Sequence, residues 1–194
     1  MKIIPKGSSL HLANSTTVRI AQLFKTNPNI KIFCNRGTHG IDGSVSTAVG
    51  YSTGSDELTY LIIGDLSFFY DSNGLWNRHI KSNMRIILNN NGGAGIFHYT
   101  IGRTKIDTIN DHIATNQNYT AKGIAETFGF DYISARNMSE LKKCLLPLIA
   151  KSSRPIILEV FTKKEHDAAV RKQIMKLRNS TSRRIKNKVK QYIR

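Results

Sequence analysis

A chain of 194 residues can bury roughly 70% of its unfolded surface in one core, so it needs neither a disulfide staple nor a metal to fold. Its formal net charge of +16 is unevenly spread: 12 of the 29 Lys and Arg residues lie from Lys163 onward, against Glu165 and Asp167 alone. Two distant cysteines, Cys34 and Cys144, exclude a disulfide scaffold and a cysteine-rich metal site. With no membrane-length apolar run and no apolar leader, the cytoplasm is the expected compartment.

In chain order, residues 9–13 read as a strand and 16–24 as a helix. Residues 30–34 follow as a strand and 43–51 as a helix of small residues. Residues 58–63, β-branched and aliphatic, read as a buried strand, and 72–81 as a helix. Residues 84–88 are again a strand. The polar stretch 99–118 has no period and reads as a loop near the ligand. A helix over 119–128, a strand over 130–134 and a helix over 139–151, with Ser139 as its cap, lead to a last strand over 155–161. A terminal helix occupies 164–178. Strands alternating with helices predict right-handed crossovers and an α/β fold: a doubly wound, mostly parallel sheet with helices on both faces.

Two strand ends carry unusual chemistry. Residues 58–63 run into Gly64-Asp65-Leu66-Ser67, and residues 84–88 into Asn89-Asn90-Asn91-Gly92-Gly93. Parallel strands ending in such turns bring a carboxylate, amide oxygens and bare backbone to the sheet edge where open α/β sheets bind ligands. A carboxylate, an amide and a carbonyl are also the donors that Mg²⁺ accepts when phosphates complete its shell. Asp71, by contrast, reads as the N-cap of the helix that follows it.

The pairing of Gly64-Asp65 with the asparagine run resembles the diphosphate and metal signature of thiamine-diphosphate enzymes. Leu66 stands where most of that superfamily has glycine. Together with Asn14-Ser15-Thr16-Thr17-Val18-Arg19 and Asn35-Arg36-Gly37-Thr38-His39-Gly40-Ile41-Asp42-Gly43, the order resembles 2-succinyl-5-enolpyruvyl-6-hydroxy-3-cyclohexene-1-carboxylate (SEPHCHC) synthases of menaquinone biosynthesis, over their C-terminal diphosphate-binding domain. The resemblance covers approximately residues 5–178 and implies the thiamine-diphosphate-binding fold.

It also implies roles. Asp65, an asparagine oxygen and the Gly93 carbonyl would hold Mg²⁺; anchoring on Ile96-Phe97 selects Asn91, whereas counting from the first asparagine pair selects Asn90. Gly64, Leu66 and Ser67 would line the diphosphate of thiamine diphosphate, and Ile41 would wedge beneath the cofactor. Ser15, Arg19 and Arg36 would hold carboxylates of isochorismate, a task that suits guanidinium forks. Ile96 and Phe97 would meet its ring. His39 departs from the family, which has a small residue there.

The reaction implied decarboxylates 2-oxoglutarate and adds the succinyl unit to isochorismate. No catalytic residue is identified in this chain. The activating glutamate belongs to a pyrimidine-binding domain with no counterpart here, and Glu126, Glu140 and Glu159 read as structural. A pyrimidine-binding-domain chain and a homo-oligomer are therefore the expected partners. The other five histidines, His11, His79, His98, His112 and His166, have no metal-ligand spacing. Residues 1–178 form the expected domain and 179–194 a basic tail, for which a solvated extension is favoured over a nucleic-acid-binding one. Two other readings remain open at this point: another thiamine-diphosphate decarboxylase or ligase, and a non-catalytic remnant or basic binding protein.

Overall fold

The computed structural model describes residues 3–97, 112 and 114–176. Six strands, β1 (Ser9–Leu12), β2 (Lys31–Phe33), β3 (Thr59–Gly64), β4 (Met84–Asn90), β5 (Asp131–Ala135) and β6 (Ile156–Phe161), form one sheet in the order β2-β1-β3-β4-β6-β5. All five pairings are parallel. The helices are α1 (Thr16–Ala21), α2 (Ser44–Thr53), α3 (Asp65–Tyr70), α4 (Lys122–Thr127) and α5 (Met138–Ile149), with a terminal helix, α6, over 164–176.

Period-two alternation assigns the faces. Leu61 and Ile63 of β3, with Met84, Ile86 and Leu88 of β4, pack on one side against Val45, Ala48 and Val49 of α2, Phe68 of α3 and Ala125 of α4. On the opposite side Leu10, Leu12 and Tyr60 meet Val18 and Ala21 of α1, while Ile156 and Leu158 meet Leu148 of α5. The doubly wound arrangement expected from the sequence is thus present. The largest fully buried side chain is Arg85, whose Nε and Nη2 donate to the carbonyls of Leu148 and Ala150 at 3.1 and 3.0 Å. Its charge meets the free carbonyls at the end of α5, where the helix dipole favours a cation.

After β1 the chain turns to one face as α1, and after β3 to the other as α3. The crevice between the carboxyl ends of β1 and β3 is therefore the switch point of the sheet. The register sets Gly64 level with Asn89, which brings the two chemically unusual strand ends side by side.

Four local expectations are corrected. Gly64-Asp65 is not a loop entry: α3 begins at Asp65 itself, with Gly64 extended at φ −86° and ψ 163° as its cap, because Phe68 one turn later is drawn into the core. The helix expected over 72–81 shrinks to a single 3-10 turn, Ser72–Leu75. Asp71 caps no helix that follows it. Its carboxylate accepts from the Ser46 N–H at 2.8 Å and the Ser46 hydroxyl at 2.6 Å, so it caps the first turn of α2, where a negative charge suits both the free N–H groups and the dipole. Similarly Asn137, not Ser139, caps α5: its Oδ1 accepts the Glu140 N–H at 3.0 Å while Glu140 Oε2 accepts the Arg136 N–H at 2.7 Å. The tail 179–194, the end of the expected terminal helix and most of the stretch 99–118 lie outside the described residues.

Candidate diphosphate and metal site

A cavity of about 1270 Å³ opens at the carboxyl ends of β1, β3 and β4. The seven residues expected to meet the cofactor or metal are divided between two walls. Gly64, Asp65, Leu66 and Ser67 come from the β3–α3 junction, and Asn91 and Gly93 from the turn after β4; Ile41 completes the set. The expected substrate contacts Ser15, Arg19, Arg36, Ile96 and Phe97 line the same cavity, as does His39. Segments from four parts of the sequence therefore converge on one crevice.

Asp65 is almost fully buried, at 3% exposure. Its Oδ1 accepts the Leu66 N–H at 2.8 Å, and its Oδ2 accepts both the Gly93 N–H and Gln117 Nε2 at 2.8 Å. Burial pushes its pKa up, against the downward pull of those hydrogen bonds. The carboxylate is thus fixed in place yet short of positive charge, and a divalent cation would supply it. Gly93 permits this closeness. It sits at φ +142°, and a Cβ there would fall 2.5 Å from the Ala114 carbonyl oxygen and 2.6 Å from that of Thr115. Its own carbonyl accepts the Gly95 N–H at 2.9 Å, which leaves a second lone pair.

The three asparagines differ in what they have left to offer. Asn90 is engaged at both ends: Nδ2 donates to the Tyr119 carbonyl and to Glu159 at 2.8 and 2.7 Å, and Oδ1 accepts from Gln117 at 3.0 Å. Asn89 Oδ1 lies 3.3 Å from the Thr162 hydroxyl, and its Nδ2 donates to Asp167 at 3.4 Å. Asn91 donates through Nδ2 to Asp167 at 3.0 Å, but its Oδ1 is buried with no donor. An orphaned acceptor of this kind costs about 1–3 kcal/mol unless something fills it. A cation would do so, and of the two candidates Asn91, not Asn90, has an oxygen left to offer it. Among the described residues no cluster of three or more His, Cys, Asp or Glu could hold a metal. The donor set has one carboxylate and suits a hard cation whose other ligands come from phosphates.

The opposite wall is organised by Asn14. It is buried, and its Nδ2 donates to the carbonyls of Asn35 at 2.7 Å and Gly40 at 2.6 Å, which ties the 35–40 loop to the end of β1. Ser15 holds a left-handed φ of +70°, the kind of strain that accumulates at binding sites. Its carbonyl accepts Arg19 Nη1 at 2.8 Å, and Arg36 Nη1 reaches Asn14 Oδ1 at 3.4 Å. The two guanidinium groups are thus tethered at the same end of β1. Ser67 Oγ donates to the Ile41 carbonyl, which joins the α3 junction to the loop that carries Ile41.

Sequence reasoning gave no role to Asn14, Gln117, Lys164 and Asp167. Asn14 sits directly before Ser15 at a strand end and was legible there. Gln117 lies in a stretch without period, and Lys164 and Asp167 look like ordinary charges on a basic helix.

Residues 14–160 match the family described as "Thiamine pyrophosphate enzyme, C-terminal TPP binding domain". The chain belongs to that family of thiamine-diphosphate-binding domains. It is 50% identical over 159 residues to the 2-succinyl-5-enolpyruvyl-6-hydroxy-3-cyclohexene-1-carboxylate synthase of Christiangramia forsetii, an alignment that covers 82% of this chain and 28% of the relative. The same-named proteins of Phocaeicola vulgatus and Bacteroides thetaiotaomicron are 46% identical over 172 residues and 44% over 174, covering 88% and 89% of this chain and 31% of each relative. The family resemblance read from the motifs is borne out. The chain spans about three-tenths of the length of the curated relatives it matches. Among the described residues no helix is long and apolar enough to cross a membrane.

Proposed function

We propose that this chain holds the diphosphate and Mg²⁺ of thiamine diphosphate as one part of a SEPHCHC synthase that acts on 2-oxoglutarate and isochorismate in the cytoplasm. The observation that carries the reading is the buried, unpartnered Oδ1 of Asn91, in the same cavity as the buried carboxylate of Asp65. In this reading Asp65, Asn91 and the Gly93 carbonyl hold the metal. Gly64, Leu66 and Ser67 line the diphosphate, and Ile41 supports the cofactor from below. When bound, thiamine diphosphate supplies the electron sink that lets a 2-oxoacid lose CO₂ and pass on its acyl unit.

The remaining residues bind and orient. Arg19 and Arg36, held at the end of β1, offer paired N–H donors to carboxylates. Ile96 and Phe97 supply an apolar wall against the substrate ring and exclude water. None of the glutamates expected to be structural, Glu126, Glu140 and Glu159, lines the cavity. Glu159 is fully buried and accepts from Asn90, Tyr132 and the Ala121 N–H. Glu140 is engaged in the α5 cap, and Glu126 pairs with Lys122 at 3.8 Å, one turn away on α4. In this reading the activating carboxylate comes from a pyrimidine-binding domain. Residues 1–178 act as the binding domain, with 179–194 as a basic extension.

The test follows isochorismate consumption with 2-oxoglutarate, Mg²⁺ and thiamine diphosphate. The chain alone should be silent, since positioning and proton transfer each contribute several powers of ten. Activity should appear when the pyrimidine-binding domain of a related synthase is added. Robust turnover by the lone chain would overturn the divided-site reading, and silence with every partner would overturn the synthase reading.

A further inference from the structure

The turn that carries Asn91 is gripped from outside the sheet by the first turns of α6. Asp167 Oδ2 accepts three donors: the Thr162 hydroxyl at 2.7 Å, Asn91 Nδ2 at 3.0 Å and Asn89 Nδ2 at 3.4 Å. Three residues earlier on the same helix, Lys164 is buried and donates to Asn116 Oδ1 and, at 3.5 Å, to the Gly92 carbonyl. Residues 164 and 167 lie on one face of a helix, so a single face holds both the Asn89–Gly93 turn and the segment beside it. Gly95 makes the approach close. A Cβ there would lie 3.1 Å from Asn91 Nδ2 and 3.3 Å from the Lys164 Cβ.

A primary amide is nearly symmetric in shape, but its two ends differ in chemistry: one accepts a cation and the other repels it. Nothing in the outline of the cavity selects between them. Asp167 does, because an ionised carboxylate only accepts and can be satisfied by the NH₂ end alone. We propose that Asp167 is a positioning residue that fixes the Asn91 amide with Oδ1 free for the metal. This rests on the diphosphate and metal reading given above. Asp167 lies beyond residue 160, where the family match ends, so the shared domain does not itself account for the contact.

The experiment is calorimetric titration of Mg²⁺ into the chain at fixed thiamine diphosphate, beside titration of thiamine diphosphate without metal. Asp167→Ala should weaken Mg²⁺ about tenfold or more, the usual range for losing a group that orients a ligand, and leave metal-free cofactor binding within about threefold. Asp167→Asn, whose amide both accepts and donates and so no longer selects one end of Asn91, should weaken Mg²⁺ by about the same factor as Asp167→Ala. In an Asn91→Ala background Asp167→Ala should have no further effect. Thermal melts check the fold, and Asp167→Leu, which fills the space, replaces Asp167→Ala if the latter fails to fold. Unchanged Mg²⁺ affinity in the acceptor-free variant overturns the proposal. So does recovery of Mg²⁺ affinity in Asp167→Asn, or a further loss in the Asn91→Ala background, which would assign the effect to charge. A wild-type chain with no Mg²⁺-dependent cofactor binding overturns the metal reading itself, and the proposal with it.

Discussion

Asp65 and Asp71 are both buried carboxylates near one strand end, and replacing each by asparagine separates their roles. Asp65 receives three N–H donors, from Leu66, Gly93 and Gln117, all at 2.8 Å. An asparagine has one acceptor oxygen, so its NH₂ must face at least one of those donors. That clash costs about 1–3 kcal/mol, partly offset because burial already disfavours the charged form. The net loss of stability for Asp65→Asn should be about 1–2 kcal/mol. The loss for the metal is larger. A carboxylate and a divalent cation about 4 Å apart attract by about 8 kcal/mol at an effective dielectric of about 20. If hydration cancels three-quarters of this, about 2 kcal/mol remains, or about 30-fold in affinity. Asp71→Asn differs because its partners are the N–H and the hydroxyl of Ser46. An amide oxygen can accept from the first while its NH₂ donates to the second, since a hydroxyl also accepts. Its cost should be about 1 kcal/mol or less, with Mg²⁺ affinity within about threefold. Calorimetric titration of Mg²⁺ at saturating thiamine diphosphate, paired with urea unfolding, measures both quantities. Equal Mg²⁺ affinities in the two variants would refute the assignment of Asp65 as the metal carboxylate.

Three further outcomes are expected. Burial lowers the His11 pKa to about 4, against an upward pull from Glu57, while an unfolded imidazole titrates near about 6.5. The stability this neutral His11 contributes is thus full above about pH 6.5 and is lost as pH falls toward 4. The loss is about 2 kcal/mol after allowance for solvent screening. His11→Phe keeps the stack on Phe33 and the edge contact with Tyr51 and should flatten that part of the profile, and parallel melting curves against pH in the two chains would refute it. Gly93→Ala should cost at least about 2 kcal/mol in urea unfolding, because its Cβ meets backbone oxygens at 2.5 and 2.6 Å, whereas Gly64→Ala, with nothing within 4 Å, should cost less than about 1 kcal/mol. Truncation after Arg178 should shift the melting temperature by no more than about 2 °C, since every strand of the sheet ends by Phe161; a large fall would show that residues 179–194 belong to the folded unit.

What the sequence by itself determined is what depends on neighbours a few positions away. Runs such as Thr59–Gly64 and Met84–Asn90 declare themselves as buried strands because a parallel sheet covered on both faces needs apolar side chains pointing both ways. Alternation with helices then implies right-handed crossovers, so the parallel sheet and the edge where ligands bind were both legible. The Gly64-Asp65 and Asn-Gly turns marked that edge, and the family resemblance supplied the residues of its opposite wall. Local pattern failed where a long-range partner outweighed it. Asp71 precedes a segment that looks helical, but its carboxylate was won by Ser46, 25 residues earlier. Phe68 entered the core and pulled the helix start back to Asp65. Which asparagine keeps a free oxygen was decided only by tertiary structure. Three identical side chains stand in a row, and they are told apart by Gln117, Glu159, Thr162 and Asp167. These partners come from segments far along the chain that no periodicity links to the turn. An amide's chemistry is set by whichever end is satisfied, and only the folded chain brings the satisfying groups within reach.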